Sequence, residues 1–251
     1  MTKDDDIALA TTTYELAIFS DITQLAQNLL AVSASVNGPI SDPKVVSTAL
    51  FRRLTGHHVG FEILWKEGLP LEADIILRSG LEAAICLAAN AKLPELFGQL
   101  LPSDAAHTLQ SQIKMYRKDN DMEMVRQAEA VLRGLQKSFG ANQKAAQLKW
   151  NELAAQGGVP RLYDWHKTLS GVSSHVSGMS IMRDIQHRKI ADAQELLRQH
   201  SQKMHYMMMA GATLQGSTFH AYTINQPELL ERSLAIAERM NEVSFDWPGV
   251  S

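Results

Sequence analysis

The stretch from Ile75 to Ala89 is apolar on nearly every face of a helix and carries only two charges, Arg78 and Glu82. A helix that is apolar all round belongs in the middle of a core rather than on its surface. Interruption by Arg78, Ser79 and Glu82 rules against a membrane span, which needs about 20 apolar residues. The chain must therefore pack other helices around this segment. Arg78 and Glu82 stand four apart and share a face, flanked by Leu71, Ile75 and Ile85. Buried charge costs several kcal/mol unless it is paired. Both side chains are expected to find partners on other helices. An Arg-before-Glu pair within one helix runs in the weaker order.

Helical periodicity extends along the whole chain, and alternating strand patterns are nearly absent. Leu16, Phe19, Ile22, Leu25, Leu29 and Val32 form the apolar face of a first helix over about 5–35, ended by Asn37-Gly38-Pro39. Ser41-Asp42-Pro43 starts a second helix that stops near Gly68, and Pro70 opens a third, to about Lys92. Pro94 and Pro102 are read as bracketing a short connector. Helices are predicted at about 103–118, 120–139, 141–155, 160–176, 188–221 and 227–243. The fold class is all-α, a multi-helix bundle of about nine or ten helices. One domain is expected over 1–251, with a soft boundary near 91–102 and residues 181–251 as a C-terminal helical extension.

Composition narrows the function classes. A single cysteine, Cys86, excludes an intramolecular disulfide and a cysteine-rich zinc module. Net charge of −3 gives no global positive field to draw in nucleic acid. Residues 111–150 do hold eight basic residues against four acids, which reads first as a solvated helix face and second as a phosphate-contacting surface. The acidic start, Asp4-Asp5-Asp6, lacks an apolar segment after it and is not a secretory signal, so a cytoplasmic location is expected. His57 and His58 are adjacent and cannot share a helical face, and the nine histidines are expected mostly at the surface or at helix ends. With no H-E-x-x-H and no Gly-rich phosphate loop, neither a metal nor a cofactor is expected.

The second unusual stretch is Pro160–Gly178. Leu162, Trp165, Leu169, Val172 and Val176 make its apolar stripe, with His166 and Ser173 on the border. Arg161, Asp164, Thr168, Gly171 and His175 lie on one flank, and Tyr163, Ser170, Ser174 and Ser177 on the other. His175 stands near the helix C-terminus, where a protonated imidazole is favoured. It serves there either as a structural residue or as a proton-transfer group. No G-x-S-x-G elbow accompanies the serines, so a hydrolase of that type is excluded.

Leu77-Arg78-Ser79-Gly80-Leu81-Glu82 and the later Tyr163…Ser170…His175-Val176-Ser177 resemble two motif helices of an uncharacterised bacterial helical family, domain of unknown function 5677. The likeness covers about residues 40–180. That pattern is similar in turn to the HEPN superfamily of helical bundles, and implies a HEPN-like core and a homodimer. Many HEPN proteins are metal-independent ribonucleases in phage defence and stress, with an R-x(4–6)-H motif completed across a dimer. Arg161 and His166 have that spacing, as do Arg52 with His57 and Arg53 with His58, while no Arg precedes His175 at the required distance. In such a reading His175 is the acid or base, Arg78 stabilises the phosphorane, Glu82 orients one of them, and Ser170 or Tyr163 donates a hydrogen bond.

Three readings of function follow. The first is an interaction or regulatory module whose Arg/Glu and Ser/His residues form a buried polar network. The second is a HEPN-like ribonuclease, with RNA as the partner. The third is a small-molecule or nucleotide-binding bundle. Under all three a homodimer is expected, with the Met-rich part of the 188–221 helix as its face, although Met204, Met207 and Met208 also read as core filling. No membrane partner is expected, and the sequence names no protein partner.

Overall fold

The computed structural model describes residues 11–139, 146–172, 181 and 192–243, and among them it contains nine helices and no strand. These are α1 (Thr13–Ser33), α2 (Pro43–Lys66), α3 (Pro70–Lys92), α4 (Pro94–Lys118), α5 (Met122–Phe139), α6 (Trp150–Gly157), α7 (Pro160–Val172), α8 (Asp192–Thr223) and α9 (Pro227–Asn241). The all-α multi-helix bundle expected from periodicity is the observed architecture. No described helix is long and apolar enough to cross a membrane.

The helix starts follow from local chemistry. Thr12 and Glu15 form a reciprocal capping box at α1, with Glu15 N–H donating to Thr12 Oγ1 at 3.2 Å and Thr12 N–H to Glu15 Oε2 at 2.7 Å. Asp42 caps α2 by accepting from Lys44 N–H at 2.8 Å. Prolines occupy the first position of α2, α3, α4, α7 and α9, where no backbone donor is missed. Gly158 follows α6 at φ 75°, the left-handed turn that lets α7 begin two residues later.

Two helices form the centre. α3 packs on α2, α4, α6, α7 and α8, while α8 packs on α1, α2, α3 and α9. From Ala83 onward α3 is buried on every side. Its first half is not, because Ile75 is 47% exposed and Arg78 and Glu82 stand at the rim. The all-round burial expected from Ile75 onward therefore holds only for the second half. Small residues set the approach of α8 to its neighbours. A Cβ built on Gly216 would overlap Leu54 Cδ2 and come within 3.1 Å of Leu87 Cδ1.

Three expectations need correction. Pro102 lies inside α4 and ends no connector. Proline in a helix interior loses a hydrogen bond and crowds the carbonyl four residues back, at about 3 kcal/mol. Here that residue is Gly98, and burial of Phe97 and Pro102 offsets the loss. Of the helix expected over 141–155, residues 141–145 lie outside the described residues, 146–149 are non-helical, and α6 begins at Trp150. The Met-rich stretch is no dimer face, since Met204, Met207, Met208 and Met209 are all buried within the chain's own core.

The histidines depart furthest from expectation. Among the described residues four of them, His58, His166, His205 and His220, are buried. His58 bridges α1 and α8, with Nε2 at 2.8 Å from Thr23 Oγ1 and Nδ1 at 3.0 Å from Thr213 Oγ1. His220 bridges α1 and α2, with Nε2 at 2.7 Å from Ser33 Oγ and Nδ1 at 2.8 Å from Ser47 Oγ. Thr23 and Ser33 already donate to the carbonyls of Phe19 and Leu29. They must therefore accept from Nε2–H, so each ring, when neutral, is the Nε2–H tautomer. Each ring also stacks on a phenylalanine, His58 on Phe19 at 4.4 Å and His220 on Phe51 at 4.3 Å. Burial, opposed slightly by Glu62, pulls His58 down to about 4, and burial alone pulls His220 down to about 3. Buried polar contacts supply further ties. Lys203 on α8 meets Glu15 on α1 at 2.8 Å, and His205 on α8 meets Asp74 on α3 at 2.6 Å.

Candidate functional site

The site is built where α7 crosses α3. Positions 78 and 82 are one turn apart on α3, and positions 166 and 170 are one turn apart on α7. Facing each other, they pair as Arg78 with Ser170 and Glu82 with His166. The numbers rise on one helix as they fall on the other, so the helices run antiparallel across the contact. Arg78 Nε donates to Ser170 Oγ at 2.9 Å, and Ser170 Oγ donates onward to the His166 carbonyl at 2.7 Å. His166 Nε2 lies 2.9 Å from Glu82 Oε1, and Arg78 Nη2 lies 3.2 Å from the same oxygen. Both expected interhelical partnerships are present, and the intrahelical pair of weaker order is present with them.

The Glu82 side chain is 22% exposed, that of Arg78 30% and that of His166 7%. Burial pushes the Glu82 carboxyl up, but the hydrogen bond from His166 and the charge of Arg78 outweigh it and hold the group below its ordinary value. An ionised Glu82 accepts only, so His166 carries a proton on Nε2. Its Nδ1 is buried without a hydrogen-bond partner. Tyr163 and Trp150 flank the imidazole, with ring centroids 6.1 and 5.9 Å away. Leu148, Lys149, Trp150, Tyr163, His166 and Ser170 line part of an open recess of about 310 Å³ beside it.

Of the residues chosen from sequence, Arg78, Glu82 and Ser170 come together, and Tyr163 touches them through the His166 ring. His175 lies outside the described residues. The place given to it beside Arg78 and Glu82 is held by His166, one turn before Ser170. Arg161 does not join His166. Five residues on a helix put the two side chains about 140° apart, and the Arg161 guanidinium lies over the Trp165 ring at 5.5 Å. The basic stretch is partly paired at the surface, where Arg117 and Arg133 meet Glu129 and Arg126 meets Glu123. Among the described residues no group of three His, Cys, Asp or Glu side chains is placed to hold a metal ion. Burial, helped by the Glu82 charge, pushes the Cys86 thiol up to about 12, which leaves it un-ionised and a poor nucleophile.

Comparison with family models, curated proteins and solved structures finds no match. The likeness to domain of unknown function 5677 and to HEPN proteins rests on the two short motifs alone.

Proposed function

We propose that this chain is a binding module of the interaction or regulatory type, in which Arg78, Glu82, His166 and Ser170 lock α7 against α3. One observation carries the reading. Arg78 and Glu82 each have a partner on their own helix and another on α7, so both side chains are committed to the contact between the two helices. The orphan nitrogen of His166, the atom that would move a proton, is sealed from solvent. With α7 fixed, the recess edged by Trp150, Tyr163 and Lys167 keeps one shape, as a recognition surface requires.

A second reading, the metal-independent ribonuclease, has one observation in its favour. A single carboxylate oxygen holds a histidine and an arginine together, which is a base with its orienting group beside a cation. Purified protein incubated with mixed RNA in EDTA separates the two. The binding reading expects no cleavage by wild type and a lowered melting temperature in His166→Gln. Cleavage by wild type that disappears in a folded His166→Gln would establish the ribonuclease instead.

A further inference from the structure

A second cleft lies on another part of the molecule, between the start of α2, the first half of α4 and the end of α5. Its volume is about 290 Å³, and Ile40, Val46, Leu50, Leu101 and Leu135 form most of its wall. Among the described residues Ser41 is the one polar side chain on it. Gly98 and Pro102 also line it, and they stand one helical turn apart.

That spacing has a chemical consequence. In a regular helix the carbonyl of residue 98 accepts from the N–H of residue 102. Pro102 has no N–H, so the Gly98 carbonyl lacks its regular donor. Glycine adds no side chain to cover that carbonyl, and a Cβ built on Gly98 meets nothing within 4 Å. Gly98, a wall residue of an apolar cleft, thus has a backbone acceptor without its i+4 donor.

We propose that this cleft binds a small, uncharged, apolar molecule that carries a single hydrogen-bond donor, its body against the Val46, Leu50 and Leu101 side chains and its donor on the Gly98 carbonyl. Size follows from volume. A dry apolar cavity of about 150 Å³ accommodates benzene, so a cleft of about twice that volume takes a bicyclic ring or a chain of similar bulk. A charged ligand is disfavoured, because among the described residues no charged side chain lines the cleft to offset its desolvation. One donor is the match, since Gly98 supplies one carbonyl.

The test uses 2-naphthol and 2-fluoronaphthalene, two rings of similar size of which only the first donates a hydrogen bond. Dissociation constants come from chemical-shift titration of the full-length ¹⁵N-labelled protein. Apolarity alone favours 2-fluoronaphthalene, whereas one hydrogen bond to a half-buried carbonyl favours 2-naphthol by about tenfold. The expected result is that tenfold preference, with shifts at Val46, Leu50 and Leu101. Pro102→Ala returns an N–H to the Gly98 carbonyl and is expected to abolish the preference while both probes still bind. Gly98→Leu fills the cleft and is expected to abolish binding of both probes without lowering the melting temperature, because leucine is the better helix former. Absence of shifts at the cleft, including the case in which another part of the chain fills it, would overturn the proposal. So would equal affinity of the two probes for wild type, or a preference that survives Pro102→Ala.

Discussion

Acidification from pH 7 to pH 5 is expected to remove about 4 kcal/mol of folding stability through His58 and His220. Both rings are held neutral in the folded chain, at about 4 and about 3, against 6.5 for an unfolded chain. A depressed folded value means that the unfolded state takes up the proton first. The stabilisation is therefore complete above pH 6.5 and is lost as pH falls toward 4 for His58 and toward 3 for His220. Between 6.5 and 5 each ring costs about 1.4 kcal/mol per pH unit, or about 2 kcal/mol, and the two bridges sit on separate hydroxyl pairs and add. Against a typical stability of 5–15 kcal/mol this is a large share. His57 acts in the same direction, because burial and then Arg53 lower it as well. Urea denaturation followed by circular dichroism at pH 7 and pH 5 gives the difference directly. His58→Gln and His220→Gln lower stability at pH 7, and each is expected to shrink the pH 7-to-5 difference by about 2 kcal/mol. Variants that keep the full wild-type difference would refute the assignment of neutral, hydroxyl-bridged rings.

Other consequences are equally checkable. Lys203→Met leaves Glu15 buried without its cation and is expected to cost about 3–5 kcal/mol in urea denaturation, while the Glu15→Gln/Lys203→Met double variant recovers much of that loss. Gly216→Ala places a methyl group against Leu54 and Leu87 and is expected to cost about 1–3 kcal/mol, read as a drop in the urea midpoint, although alanine favours helix.

Much of the architecture was legible because this chain punctuates its helices with proline. The predicted start at Pro70 and end at Lys92 are those observed for α3, and Ser41-Asp42-Pro43 does mark the start of α2. Pro102 misled for the same reason, since a proline at a helix start and one inside a helix look alike in sequence. Arg78 and Glu82 stood out because charge in an apolar run demands partners. Their partner His166 was passed over in favour of His175, yet its spacing of four from Ser170 mirrors that of Arg78 from Glu82. His58 carried a readable signal too. It falls in register with Phe51, Leu54 and Phe61, so the apolar stripe of α2 includes it. His220 gave less, because its partners Ser33 and Ser47 come from helices far away in sequence. No spacing rule reports contacts of that range.

The claim that α7 is locked to α3 is tested most directly by a double-mutant cycle on Glu82→Gln and His166→Gln, with folding free energies from urea denaturation at pH 7. The account predicts a coupling of at least about 1 kcal/mol, the value of a charge-assisted hydrogen bond at a partly exposed site. Strictly additive losses, with a coupling of less than about 0.3 kcal/mol, would contradict it.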